Sequence, residues 1–194
     1  VPEPGPDAPV RTRAASALLR GFTATARRDW SEAVERFRTA FTLLDAESLD
    51  DHVLQPNLGV AAFLIDDDER GLRLHEQQLT AARRTGALTM VEHALTRGAQ
   101  FQIATGAWAQ AANAAAEALP LTASTGHPGL TALPLAELAL VAALRGDESA
   151  EQHIASVGAI RERHAVGIAE PLVDDFTHWA RGLRESTHPA KALH

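Results

Sequence analysis

The chain has no cysteine, one methionine (Met90) and one lysine (Lys191), and no apolar run long enough to matter to a membrane. Each absence removes a class of function. Without cysteine there are no disulfides, no thiolate metal sites and no thiol nucleophile. A transmembrane helix needs ~20 consecutive apolar residues, and nothing here approaches that. With its single lysine near the C-terminus, no GxxxxGK[ST] phosphate loop can be written, so ATP is not held in that way. No GxSxG elbow occurs. His75-Glu76 opens like HExxH, but Leu79 stands where the second histidine should be, so the pair reads as a solvated helix face. Asp66-Asp67-Asp68-Glu69 lacks the alternation and glycine of a calcium loop and reads as a charged helix start. Asp174-Asp175 likewise reads as an exposed helix face. The nine histidines are scattered; a His153, His164 and His178 cluster formed by folding competes with ordinary surface placement.

What is present is a folded, acidic composition. The 194 residues are 45% hydrophobic and 22% charged, with net charge -7. That suits one or two compact domains or a short solenoid. An acidic surface repels a phosphate backbone, so direct nucleic-acid binding is not expected. The opening VPEPGPDAPV has neither the basic start nor the apolar core of a signal peptide and reads as a Pro-rich linker over residues 1–9. Residues 187–194 read as a tail. Val1 at the start suggests a piece of a longer protein, and the arginine- and alanine-rich usage suggests a bacterial, GC-rich source.

Apolar periodicity predicts about nine helices over residues 10–186 and no strand. The first runs from about Val10 to Arg28, with Ala14, Ala17, Leu18, Gly21 and Ala24 inward. Asp29 and Glu32 form a capping-box pattern before a second helix with Trp30, Ala33, Val34, Phe37, Ala40, Phe41 and Leu44 inward. A third covers about Asp51 to Ile65, where Pro56 either starts or kinks it. The fourth runs to about Arg84, with Leu72, Leu79 and Ala82 inward and Gly86 as its left-handed cap. Further helices are expected near 88–105, 107–124, 128–146, 147–164 and 170–185, with Pro120 and Pro134 disturbing two of them.

The segments repeat. Ala33, Gly71, Ala111 and Ala150 are small residues at the same place in successive second helices, spaced 38, 40 and 39 apart. Ala111, Ala115 and Ala118 continue that face. Gly106-Ala107-Trp108 and Gly146-Asp147-Glu148 mark similar turns, and Trp30 and Trp108 lie 78 apart. A period of this size signals stacked helical hairpins. Ala111 is accordingly expected to be a packing position. Trp30 and Trp108 are expected to pack at turns, with a ligand platform as the competing reading.

These residues resemble the tetratricopeptide pattern: Gly21, Ala33, Phe37 and Ala40 in the first repeat, Ala99, Gly106, Trp108, Ala111, Ala115 and Ala118 in the third. His75 and Gln78 depart from it in the second, Ala150 is shifted by one in the fourth, and the period exceeds the usual length. Gly59, Gly71 and Gly146 complete the small structural positions. More specifically, GAWAQAANAAAEALPLTASTGHPGL, ALVAALRGDESA and FTHWARGL make the stretch from Asp67 to Arg184 resemble the helical-repeat region of large ATP-binding LuxR-type transcriptional regulators. Related repeats follow ATPase modules in bacterial cyclases and kinases. The resemblance implies an α-solenoid whose first helices line a concave groove. It implies a non-catalytic, cytoplasmic module without a cofactor or metal, binding a protein partner or small-molecule inducer, with the ATPase and helix-turn-helix lying elsewhere. Homo-oligomerisation stays open. By that resemblance Asn57, His93, Arg97, Gln100 and Glu137 reach the groove, plain solvent exposure being the competing reading for each. Trp179, on the last helix, either caps the core or lines the groove.

Overall fold

The computed structural model describes residues 3–45 and 54–187. Among these residues there are nine α-helices and no strand: α1 Val10–Ala26, α2 Trp30–Asp45, α3 Gln55–Leu64, α4 Asp68–Thr85, α5 Leu88–Ala104, α6 Trp108–Ser124, α7 Ala132–Leu144, α8 Ser149–Arg161 and α9 Glu170–Thr187. Short 3₁₀ turns precede α7 at Pro128–Thr131 and α9 at Gly167–Ala169. The expected start of the third helix at Asp51 and most of the expected tail, 188–194, lie outside the described residues. The chain divides into two compact units, Val1–Gln78 and Leu79–His194, with the boundary inside α4.

One turn closes all four hairpins and recurs after α4, where Gly86 (φ 69°) precedes Ala87 donating to Ala82. After α1, α3, α5 and α7, a residue takes the left-handed backbone conformation: Arg28 (φ 61°), Asp66 (φ 56°), Gly106 (φ 80°) and Gly146 (φ 72°). The residue after each donates its N–H five residues back, Asp29 to Ala24, Asp67 to Ala62, Ala107 to Gln102 and Asp147 to Ala142. That is the Schellman closure, which satisfies a carbonyl the helix end leaves open. The 38- to 40-residue period is thus visible in the backbone. In the first three hairpins the second helix begins with N–H donation from Ala33, Gly71 and Ala111 to the residue four back; in the fourth, Ala150 donates three back to Asp147. This one-residue difference is the shift that the sequence alignment shows at Ala150.

Arg28 and Asp66 occupy a conformation that costs an L-residue with a Cβ roughly 1–2 kcal/mol. The expectation follows that Arg28→Gly stabilises the chain by about 0.5–1 kcal/mol, the glycine's greater freedom when unfolded offsetting part of the relief. Arg28→Ala, which keeps the Cβ, should show no such gain. Urea midpoints of the two variants beside the parent decide it, and equal midpoints for Gly and Ala would rule it out.

Packing within the hairpins follows the small residues. Ala33, Ala111 and Ala150 are fully buried, as are Phe37, Ala40, Ala115 and Ala118, while Val157 is 1% exposed. In the first unit α1 packs chiefly on α2, and both meet α3. A Cβ on Gly21 would stand 2.4 Å from the Phe37 ring, and one on Gly59 would stand 2.4 Å from the His75 ring. His75 therefore fills the aromatic position of its hairpin: it is buried, its Nδ1 lies 3.3 Å from Gln78 Oε1, and the expected solvated face holds only for Glu76. There a flat imidazole ring takes the place over the glycine that a phenyl ring takes in the first hairpin. In the second unit α5 packs on α6, α6 on α7, and α7 on both α8 and α9. This pairing of consecutive helices is that of a helical repeat.

Two local expectations, the capping box and Pro134, are corrected, and the alternatives for Pro56 are decided. The capping box is half formed: Asp29 Oδ1 accepts the Glu32 N–H at 3.1 Å, but the Asp29 N–H goes to Ala24, and the Glu32 carboxylate pairs with Arg27 and Arg36. Pro56 lies in the first turn of α3 and starts it. Pro134 lies in the first turn of α7, where an N–H would have no helical partner anyway, so it disturbs nothing. Residues 3–9 are tied to the first hairpin through Glu3, which meets Arg20 at 2.9 Å and Arg36 at 3.2 Å.

Candidate functional site

Helix α5 is apolar where it should be, at Val91, Ala94, Leu95, Ala99 and Ile103. Its remaining face is the anomaly. Glu92, Thr96 and Gln100 recur at intervals of four and so share one stripe. An ordinary packed helix turns such a stripe to water; here all three are buried, at 5%, 2% and 3% exposure. His93 and Arg97 form the neighbouring stripe and are half-buried. Helix α7, which contacts α5, is apolar over nearly its whole length and buries one charge-bearing side chain, Glu137, completely.

Thr96 is self-sufficient, its hydroxyl donating to the Glu92 carbonyl at 3.1 Å. The others are not. Neither carboxyl oxygen of Glu137 has a hydrogen-bond partner, and the Gln100 Nε2 also lacks one. Leaving a buried polar atom unpaired costs about 1–3 kcal/mol, more when it is charged. Burial pushes the Glu137 carboxyl well above the usual carboxylate range; the nearby Arg97 guanidinium and Gln100 amide pull it down, and Glu92 pushes it up again. Burial raises Glu92 to about 7, against the pull of Arg97. His93 is lowered to about 4, by burial first and by the Arg97 charge second. Arg97 is itself held below its ordinary value by burial, though both carboxyls support its charge. The cluster thus contains two acids biased toward their neutral forms, one guanidinium and a neutral imidazole. Chemically it offers acceptors and a titratable pair, with no nucleophile and no activated base set against one. Among the described residues no group of three His, Asp or Glu is placed to hold a metal ion.

Of the residues expected to reach a groove, the structure brings four together: His93, Arg97, Gln100 and Glu137. The competing expectation of plain exposure is wrong for Gln100 and Glu137, because the helices on either side of them leave no water-facing side. Asn57 is exposed on α3 of the first unit. Trp179 is 63% exposed on α9, beside Phe176 at 6.5 Å between ring centroids, so it does not cap the core. Trp108 packs partly buried against the core of the second unit, as a turn residue should. Trp30 does not: it is 50% exposed and borders a shallow hollow on α2 with Val34, Arg38 and Leu43. Glu92 escaped the sequence reading. Its signal was there, in the four-residue recurrence with Thr96 and Gln100 on a helix otherwise built from apolar residues.

No protein-family model matches the chain, and no curated protein matches it. The site therefore has to be read from its own chemistry. Among the described residues no helix is long and apolar enough to cross a membrane.

Proposed function

We propose that this chain is a non-catalytic sensing module: a solenoid of helical hairpins that binds a small-molecule inducer or a protein partner within a larger bacterial regulator of the LuxR-type, ATP-binding class. The observation that carries the reading is the polar cluster of α5 and α7, set inside a helical repeat, in which both Glu137 carboxyl oxygens and the Gln100 Nε2 are buried without a hydrogen bond. Structural cores do not ordinarily leave a fully buried carboxyl and a buried amide unpaired. A recognition site carries a small number of placed polar groups that orient its ligand. The repeat itself supports the assignment, since hairpin arrays present extended binding faces and tolerate variation there. The resemblance of residues 67–184 to the repeat region of those regulators supplies the larger setting.

In this account binding biases the whole protein between two states, and only differential affinity for those states transmits a signal. The test uses the complete gene product in a transcriptional reporter. Deleting the hairpins, residues 10–186, should leave ATP hydrolysis in place and make reporter output independent of inducer. A gene product with no nucleotide-binding ATPase or helix-turn-helix would overturn the regulator reading; a cyclase or kinase domain in their place would make the chain a signalling scaffold instead.

A further inference from the structure

We propose that Glu92, Arg97, Gln100 and Glu137 form a binding site for a small organic cation, one carrying a primary ammonium or amidinium group. This rests on the reading of the chain as a ligand sensor and names the ligand chemistry.

The charge balance of the cluster argues for a cation. Two carboxyls face one guanidinium, so full ionisation leaves one negative charge uncompensated. The unfilled acceptors argue the same way: both Glu137 oxygens are buried and unpartnered. An ammonium brings three donors and an amidinium four, each group with the one positive charge the cluster lacks. Once ionised, Glu137 is also a charged and so stronger acceptor for the Gln100 amide, which already pulls the carboxyl's value down. An anion would meet Arg97 but would face two acids, and a neutral apolar ligand would leave every open group open. The half-buried His93 and Arg97 place one edge of the cluster toward the surface.

Binding has a proton signature. Burial holds the Glu137 carboxyl well above the usual carboxylate range, biased toward its protonated form. A bound cation favours the carboxylate, so the carboxyl proton leaves to the buffer as the ion pair forms. Cations adsorbed on the acidic outer surface, where carboxylates are already ionised, release no such proton.

The experiment is calorimetric titration of the full 194-residue chain at pH 7 with 1,4-diaminobutane and butylammonium, with 1,4-butanediol as the uncharged control. Each titration is run in two buffers of different ionisation enthalpy. The expected result is saturable binding of the amines, none of the diol, and release of protons to the buffer on binding. Glu137→Gln should weaken amine binding at least tenfold and reduce the proton release to the part that Glu92 contributes; Glu92→Gln, should the first variant fold poorly, should weaken binding by a similar factor. Absence of saturable binding, binding without proton release, or equal binding by a folded Glu137→Gln chain would overturn the cation site. The sensing reading falls separately, if reporter output after hairpin deletion still follows the inducer.

Discussion

Glu137→Leu is expected to stabilise the chain by about 1–3 kcal/mol at pH 8, an unusual direction for a change at a fully buried position. The substitution removes two acceptors that have no hydrogen-bond partner and replaces them with methyl groups of similar bulk, so the desolvation cost of unpaired oxygens disappears. The effect depends on pH, and its sign follows from the direction of the shift. An acid whose folded pKa is raised holds its proton in the folded chain after the unfolded chain has released it. Between the unfolded and folded values the native state binds more protons, so stability falls as pH rises. For Glu92 that window runs from 4.5 to about 7, and for Glu137 it begins at the same point and continues upward. His93 works the other way: with its value lowered from 6.5 to about 4, stability rises with pH across that interval. The two trends oppose one another below pH 6.5, and above it the acids act alone. Parent stability should therefore decline from pH 6.5 to 8, and the decline should be shallower in Glu137→Leu. Urea unfolding at pH 5, 6.5 and 8 measures both. A loss of stability in Glu137→Leu at pH 8 would mean that the carboxyl is well satisfied in the native protein.

Phe37→Ala should cost about 3–5 kcal/mol, the range for emptying a large aromatic site in a core. Phe37 is fully buried, and its ring packs edge-on to Phe22 with centroids 5.1 Å apart. It also closes directly over Gly21, where no Cβ fits. Ala33 and Ala40 flank Phe37 on the buried stripe of α2, which continues with Phe41 and Leu44. The backbone approach fixed by the Gly21 contact limits how far the helices can collapse into the space. Phe37→Leu, which refills most of the volume, should recover more than half of the loss. Thermal and urea unfolding of both variants check the order, and a Phe37→Ala chain as stable as the parent would mean that the first hairpin is not held at this contact.

The hairpin plan was legible in the sequence because it is written in small residues at fixed spacing. Ala33, Gly71, Ala111 and Ala150 predicted close helix contacts, and all four are buried. Glycine marked the turns at 106 and 146 for the same reason, since only glycine takes that backbone conformation freely. It could not mark the first two turns, where Arg28 and Asp66 take the conformation at a cost that the Schellman closure offsets. The polar cluster was half legible. The tetratricopeptide resemblance implied that His93, Arg97 and Gln100 line a groove, but a polar stripe in sequence looks the same whether it meets water or another helix. Only the packing of α7 distinguishes them, and that is a long-range fact. Trp30 and Trp108 show the reverse failure. They share a repeat position, yet Trp108 packs against the core and Trp30 is half exposed, because burial depends on what neighbours each hairpin and not on the hairpin itself.

The account turns on an acid held buried and unpaired between α5 and α7. Carboxyl carbon NMR of the folded chain, with Glu137 assigned by comparison with Glu137→Gln, reports its titration directly. The predicted result is a Glu137 resonance that stays in its protonated position through the range where exposed glutamates ionise, and that moves to the ionised position at pH 7 when 1,4-diaminobutane is added. A Glu137 that titrates with the surface glutamates, and does not respond to the diamine, would contradict the account.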